Sequence, residues 1–161
     1  MNPKHLLALA LLAVPLLAAA QPTDVRAVFS RYVQAVHAAD MPAVRALIAP
    51  DVERSDFIGC APQMDNVSCL ALYIEQTVVK PGARIDIVSV EVQGDELSAK
   101  LEVRSALYQK AGVERIVGSD VLRIVDGQIR AFRFVPDFKD EPTARFCATL
   151  GIGPKAGVKK P

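Results

Sequence analysis

The hydrophobic pattern changes period at Pro81-Gly82, and that switch restricts the fold more than any other feature of the chain. Before it, apolar residues recur every three to four positions. Val25, Val28, Phe29, Tyr32, Val33 and Val36 make one helical stripe, and Leu70, Tyr73, Ile74 and Val78 make another. After it, apolar and polar residues alternate. Residues 85–93, 97–109, 113–125 and 128–135 read as four long strands. Gly94-Asp95, Lys110-Ala111-Gly112 and Asp126-Gly127 are the turns between them, and Asp-Gly is a strong hairpin signal. In the second strand Leu97, Ala99, Leu101, Val103 and Leu107 point one way, while Glu96, Ser98, Lys100, Glu102 and Arg104 point the other. One face is therefore packed and one is wet, as in an antiparallel meander. Helices first and a meander second give an α+β fold. A strongly curved antiparallel sheet wrapped around N-terminal helices forms a cone-shaped barrel with a cavity at its open end.

The punctuation fits this order. Thr23 is placed to cap the first helix, and Asp40 with Pro42 stops and restarts it before Val44, Leu47 and Ile48 lead to Pro50. Residues 52–55 read as a short strand, and Ser68 or Asp65 as the cap of a third helix ending at Pro81-Gly82. The stretch beyond Asp137, with Pro142 and Arg145-Phe146-Cys147, reads as a short closing helix. No repeat or linker interrupts residues 21–150, which make one domain. Residues 151–161, rich in Gly and Pro and carrying Lys159 and Lys160, read as a solvated, disordered tail.

Residues 1–20 carry the marks of a removable export signal: Lys4, an apolar run from Leu6 to Leu17, and Ala18-Ala19-Ala20 before Gln21. That run is short for a membrane span, which needs about 20 apolar residues. The expected location is periplasmic or secreted, with no membrane attachment after cleavage. Without the leader, 18 acidic residues face an equal number of basic ones, since Lys4 is the leader's one charged side chain. Such balance offers no electrostatic hold on nucleic acid or an anionic membrane.

Cys60 and Cys69 bracket a loop-like stretch. Export permits a disulfide between them, and the alternative, zinc, has one histidine outside the leader, His37, and no CxxC pair to draw on. The disulfide is the favoured reading. Cys147 is then left over, as a small buried residue or a site of intermolecular pairing.

One acid stands out of register. In Gly118-Ser119-Asp120-Val121-Leu122-Arg123-Ile124-Val125 the even positions form one face, and Leu122 and Ile124 make that face apolar. A carboxylate there loses its water and must find a partner or keep a proton. Two outcomes are open: an ion pair with Arg104 or Arg123 at a sheet rim, or a neutral acid that donates a hydrogen bond.

Three stretches then carry a resemblance: 31–40 (RYVQAVHAAD), 46–51 (ALIAPD) and 56–59 (DFIG). Together with the element order, they resemble the nuclear transport factor two-like (SnoaL-like) superfamily, and within it bacterial ketosteroid isomerase, over residues 24–137. The resemblance places that family's oxyanion tyrosine at Tyr32, its general-base aspartate at Asp56 and its protonated aspartic acid at Asp120. Phe57 stands where the family usually has proline after the base. It implies a small hydrophobic carbonyl compound in the cone cavity, proton transfer by Asp56, and an enolate held by Tyr32 and neutral Asp120. It also implies no metal or organic cofactor, and a homodimer through the wet face of the sheet. The same superfamily houses dehydratases, cyclases and non-catalytic binding modules, so a ligand-binding or interaction protein is the second reading. Tyr32 on an apolar stripe also reads as a core tyrosine, Asp56 as a turn cap and His37 as a structural residue.

Overall fold

The computed structural model describes residues 24–55, 57 and 59–153. The expected export signal, the candidate base Asp56 and residues 154–161 lie outside the described residues. Helix α1 spans Val25–His37 and buries the stripe read from the sequence, with Tyr32 1% exposed. Its cap is Asp24, whose carboxylate accepts from the amides of Arg26 and Ala27. Helix α2 is a short restart at Met41–Ala46, with Asp40 as cap and Pro42 in its first turn. Helix α3 spans Asn66–Ile74 and is capped by Asp65. It runs into a π-helical turn at Glu75–Val79, where the Lys80 amide reaches back to the Glu75 carbonyl at 2.8 Å.

The four strands are β1 (Arg84–Gln93), β2 (Glu96–Arg104), β3 (Ile116–Val125) and β4 (Gln128–Pro136), antiparallel in the order β1-β2-β3-β4. The sheet is open, not a closed barrel. Its inner face packs on α1 and on helix α5 (Glu141–Thr149), so the core lies between sheet and helices. On the outer face Arg104 bridges Asp86 and Glu102, and Arg115 joins Glu102 to Asp140.

Four boundaries differ from the sequence reading. The strand expected over 97–109 stops at Arg104, and Ala106–Lys110 form a short helix, α4, leaving Leu107 40% exposed. The next strand starts at Ile116 instead of 113, because the Val113 amide closes onto the Tyr108 carbonyl at 2.9 Å. Residues 52–55 are not a strand. Contact with β4 there is reduced to one parallel bridge at Ile48–Ile129 and scattered bonds such as Glu53 amide to Arg130 carbonyl, 2.7 Å. Gly151 and Ile152, assigned to the tail, instead cap α5: the Ile152 amide meets the Cys147 carbonyl at 2.9 Å.

Cys60 and Cys69 are joined by a disulfide, and Cys147 is a buried free thiol. The Arg54 guanidinium donates to the carbonyls of Ala61 and Met64 and supports the same loop. Closing so short a loop stabilises the fold by about 2–3 kcal/mol, so reduction lowers the melting temperature by roughly 6–12 °C. Differential scanning with and without reductant measures this. An unchanged midpoint, or more than one titratable thiol in the unreduced, denatured protein, would refute the bridge.

Candidate functional site

A cavity of about 560 Å³ opens between the inner face of the sheet, the end of α3 and α5. That is the size of an ordinary small-molecule site. Its walls are mostly hydrocarbon, with a few polar groups in the depth: Asp120, Tyr32, Tyr73 and Tyr108.

Asp120 sits on the interior strand β3, between Ala99 on β2 and Phe134 on β4. The period of two turns its side chain inward, where it is 6% exposed. Neither arginine considered as a rim partner reaches it. Arg104 is committed to Asp86 at 2.6 Å and Glu102 at 3.1 Å, and Arg123 pairs with Glu53. Among the described residues Asp120 has no hydrogen-bond or ion-pair partner. Burial alone pushes its carboxyl up to about 7. Below neutral pH it is therefore an uncharged donor aimed into an apolar cavity.

Tyr32 reaches the same cavity from α1, packed 6.2 Å from the ring of Phe29 and 6.0 Å from that of Phe132. Burial holds its hydroxyl well above the ordinary phenol value, and the Asp120 carboxylate, followed by Tyr73, adds to the effect. Tyr32 thus stays protonated and remains a donor. Cavity, burial and shared field bring Tyr32 and Asp120 together.

Asp56 lies outside the described residues, but its chain neighbours touch the cavity wall. The Ser55 hydroxyl donates to the Phe132 carbonyl at 3.3 Å. The Phe57 ring stacks on Tyr73 at 4.5 Å and sits 6.2 Å from Phe132. The disulfide belongs to this arrangement, since Cys69 lies one helical turn before Tyr73 and Cys60 three residues after Phe57.

Two residues of the site escaped sequence reasoning. Tyr73 read as one more position of a helical stripe, and Tyr108 fell inside an expected strand. Tyr73 is pushed up to about 12 by burial and then by Asp120, with its carbonyl accepting the Thr77 hydroxyl at 2.7 Å. Tyr108 is raised too, by burial first, then by Tyr73, Asp120 and Cys147. Three protonated phenols thus share one field with one acid. His37 is exposed at the end of α1 and is not part of the lining. Among the described residues no cluster of His, Cys, Asp and Glu has the makings of a metal site, and no described helix is long and apolar enough to cross a membrane.

No family model and no curated protein matches the sequence, whereas many solved structures match the fold. Delta 5-3-ketosteroid isomerase from Mycobacterium sp. superposes with a TM-score of 0.53 at 20% identity, over 71% of this chain and 94% of that one. An LEH-like epoxide hydrolase from Mycobacterium tuberculosis gives 0.57 at 15% identity, over 81% of this chain and 97% of its own. A third structure, an M. tuberculosis protein in complex with estradiol-17beta-hemisuccinate, gives 0.54 at 15% identity, over 71% and 95%. The chain has the nuclear transport factor two-like α+β fold, with its sheet left open.

Proposed function

We propose that this chain, as an exported cavity protein, takes a small hydrophobic carbonyl compound and moves a proton next to the carbonyl without a cofactor. The observation that carries this reading is Asp120: a nearly fully buried acid without a described partner, in a cavity shared with protonated tyrosines. The bound carbonyl oxygen would accept from neutral Asp120 and from Tyr32. As a base removes a proton from the neighbouring carbon, the C–H electron pair becomes a carbon–carbon double bond. The carbonyl pair moves onto oxygen, where the two donors hold the enolate. The base then returns the proton further along the conjugated system. That base is Asp56 in this proposal, supported by Ser55 and Phe57, its neighbours on both sides, lying against Phe132 and Tyr73 of the cavity wall. Export is supported by the leader and by a disulfide, which persists outside the reducing cytoplasm.

A second reading, ligand binding without chemistry, is favoured by one observation: among the described lining residues Asp120 is the single carboxylate. Absorbance at the wavelength of a conjugated enone separates the two. The wild type converts a β,γ-unsaturated ketone to its α,β-isomer, and Asp56→Asn loses about a hundredfold in rate, the scale of a general base. Binding of the ketone with no conversion above background would leave the binding reading in place of the enzyme.

A further inference from the structure

The described lining of the cavity carries one carboxyl group and one ammonium, the first buried and the second exposed. Asp120 is in the depth, whereas Lys110 is the last residue of α4, exposed at the mouth. Lys110 has no ion-pair partner among the described residues, and of the exposed lysines there it alone lines the cavity. Around it the rim is apolar and open to water: Leu107 is 40%, Leu150 48% and Ile152 38% exposed, and all three also line the cavity. Most large apolar side chains of the domain are buried, so a cluster of exposed ones around a cavity mouth marks a surface that a ligand covers.

We propose that the ligand is an amphipathic keto acid, its carbonyl end against Asp120 and Tyr32 and its carboxylate at the mouth on Lys110. The inference rests on the carbonyl-binding reading above and adds the second end of the molecule. Polarity sets the direction of entry. A carboxylate driven into the depth would be desolvated beside an acid, with no described cation to meet it, and would pay heavily for both. A ketone there accepts hydrogen bonds from groups that are already protonated. At the mouth the order reverses: the carboxylate keeps part of its water and gains the ammonium of Lys110.

The sheet supplies a ruler. From Asp120 to Ile116, the last inner residue of β3 before the mouth, is four residues, or about 13 Å of strand. Val103, the partner of Ile116, is the last inner residue of β2 before α4. The apolar body between ketone and carboxylate thus spans about 13 Å, against Leu101, Val103 and Phe134.

A matched pair of ligands tests this: 11-oxododecanoate, whose two polar ends lie about that far apart when extended, and its methyl ester. Calorimetric titration into the full protein, below the aggregation threshold of either ligand, is done on wild type and Lys110→Gln. The acid binds wild type about fivefold more tightly than the ester, the scale of a partly exposed ion pair. That preference shrinks to near unity in Lys110→Gln, and 1 M salt erodes it in wild type. Equal binding of acid and ester by wild type, or a preference that survives Lys110→Gln, overturns the proposal while the carbonyl-binding cavity stands. Failure of both ligands to bind overturns the proposal and the cavity reading together.

Discussion

Replacing Asp120 with asparagine removes about 4 kcal/mol of pH dependence from the stability of this protein between pH 4 and pH 8. Burial raises the folded-state value from 3.8 to about 7, so across that interval the folded protein keeps a proton that the unfolded chain has released. The contribution is fully present below about pH 4, declines as pH rises through about 7, and is level above it. At about 1.4 kcal/mol per pH unit the gap amounts to about 4 kcal/mol. Other groups titrate over the same range, but they cancel when wild type and Asp120→Asn are compared at each pH. Urea denaturation at pH 4, 6 and 8 gives the two curves. They diverge with rising pH, wild type falling relative to the variant. A difference constant to within about 1 kcal/mol would mean that Asp120 is ionised throughout, and the neutral donor would drop out of the proposed chemistry.

Gly118→Ala costs about 3 kcal/mol, large for a single methyl group. A Cβ at Gly118 falls 2.3 Å from the Cζ of Phe134 and 2.7 Å from the carbonyl oxygen of Val135. Phe134 can swing its ring, but only by pushing it into the cavity it lines. The Val135 oxygen belongs to β4, paired with β3 in the register Ser119–Val135, and cannot retreat without opening that ladder. Removing the ring therefore repairs part of the damage. The double variant Gly118→Ala/Phe134→Leu recovers some of the loss relative to Phe134→Leu alone, leaving the backbone clash, about 1 kcal/mol or more. Thermal melts of the four proteins complete the cycle. Gly118→Ala within about 0.5 kcal/mol of wild type would show that the sheet yields easily at this position.

Much of the fold was legible because its elements are long and strongly periodic. The stripe of α1, the caps Asp40 and Asp65, and the turns at Gly94-Asp95 and Asp126-Gly127 each have a local cause, and local causes can be read in one dimension. The missed helix α4 has none strong enough. Val103 and Leu107 are four apart, which fits both a continued strand and a helical turn, and neither Gly nor Pro marks the bend at Ser105. The Asp120 anomaly was visible because one acid on an apolar face breaks a pattern. Tyr73 and Tyr108 were not, because an aromatic residue on an apolar stripe breaks nothing. Only the folded arrangement of α3 and α4 against the sheet puts Tyr73 and Tyr108 in the lining that Asp120 shares. Lys110 was hidden for the opposite reason: a lysine beside a glycine turn is the commonest of surface features, and its meaning comes from the apolar rim around it.

The π-helical turn at Glu75–Val79 makes the lining length-sensitive. Residues Gln76, Thr77 and Val78 border the cavity from a segment whose backbone bonds span five residues instead of four, as at Lys80–Glu75. Such a turn holds one residue more than an α-helical turn needs. Deleting one residue there would let the segment relax into α-helical hydrogen bonding with the chain beyond it little displaced, yet change which side chains the turn presents beside Tyr73. Insertions and deletions are usually absorbed in loops. In this chain a helical stretch is where the residue count sets which side chains a ligand would meet.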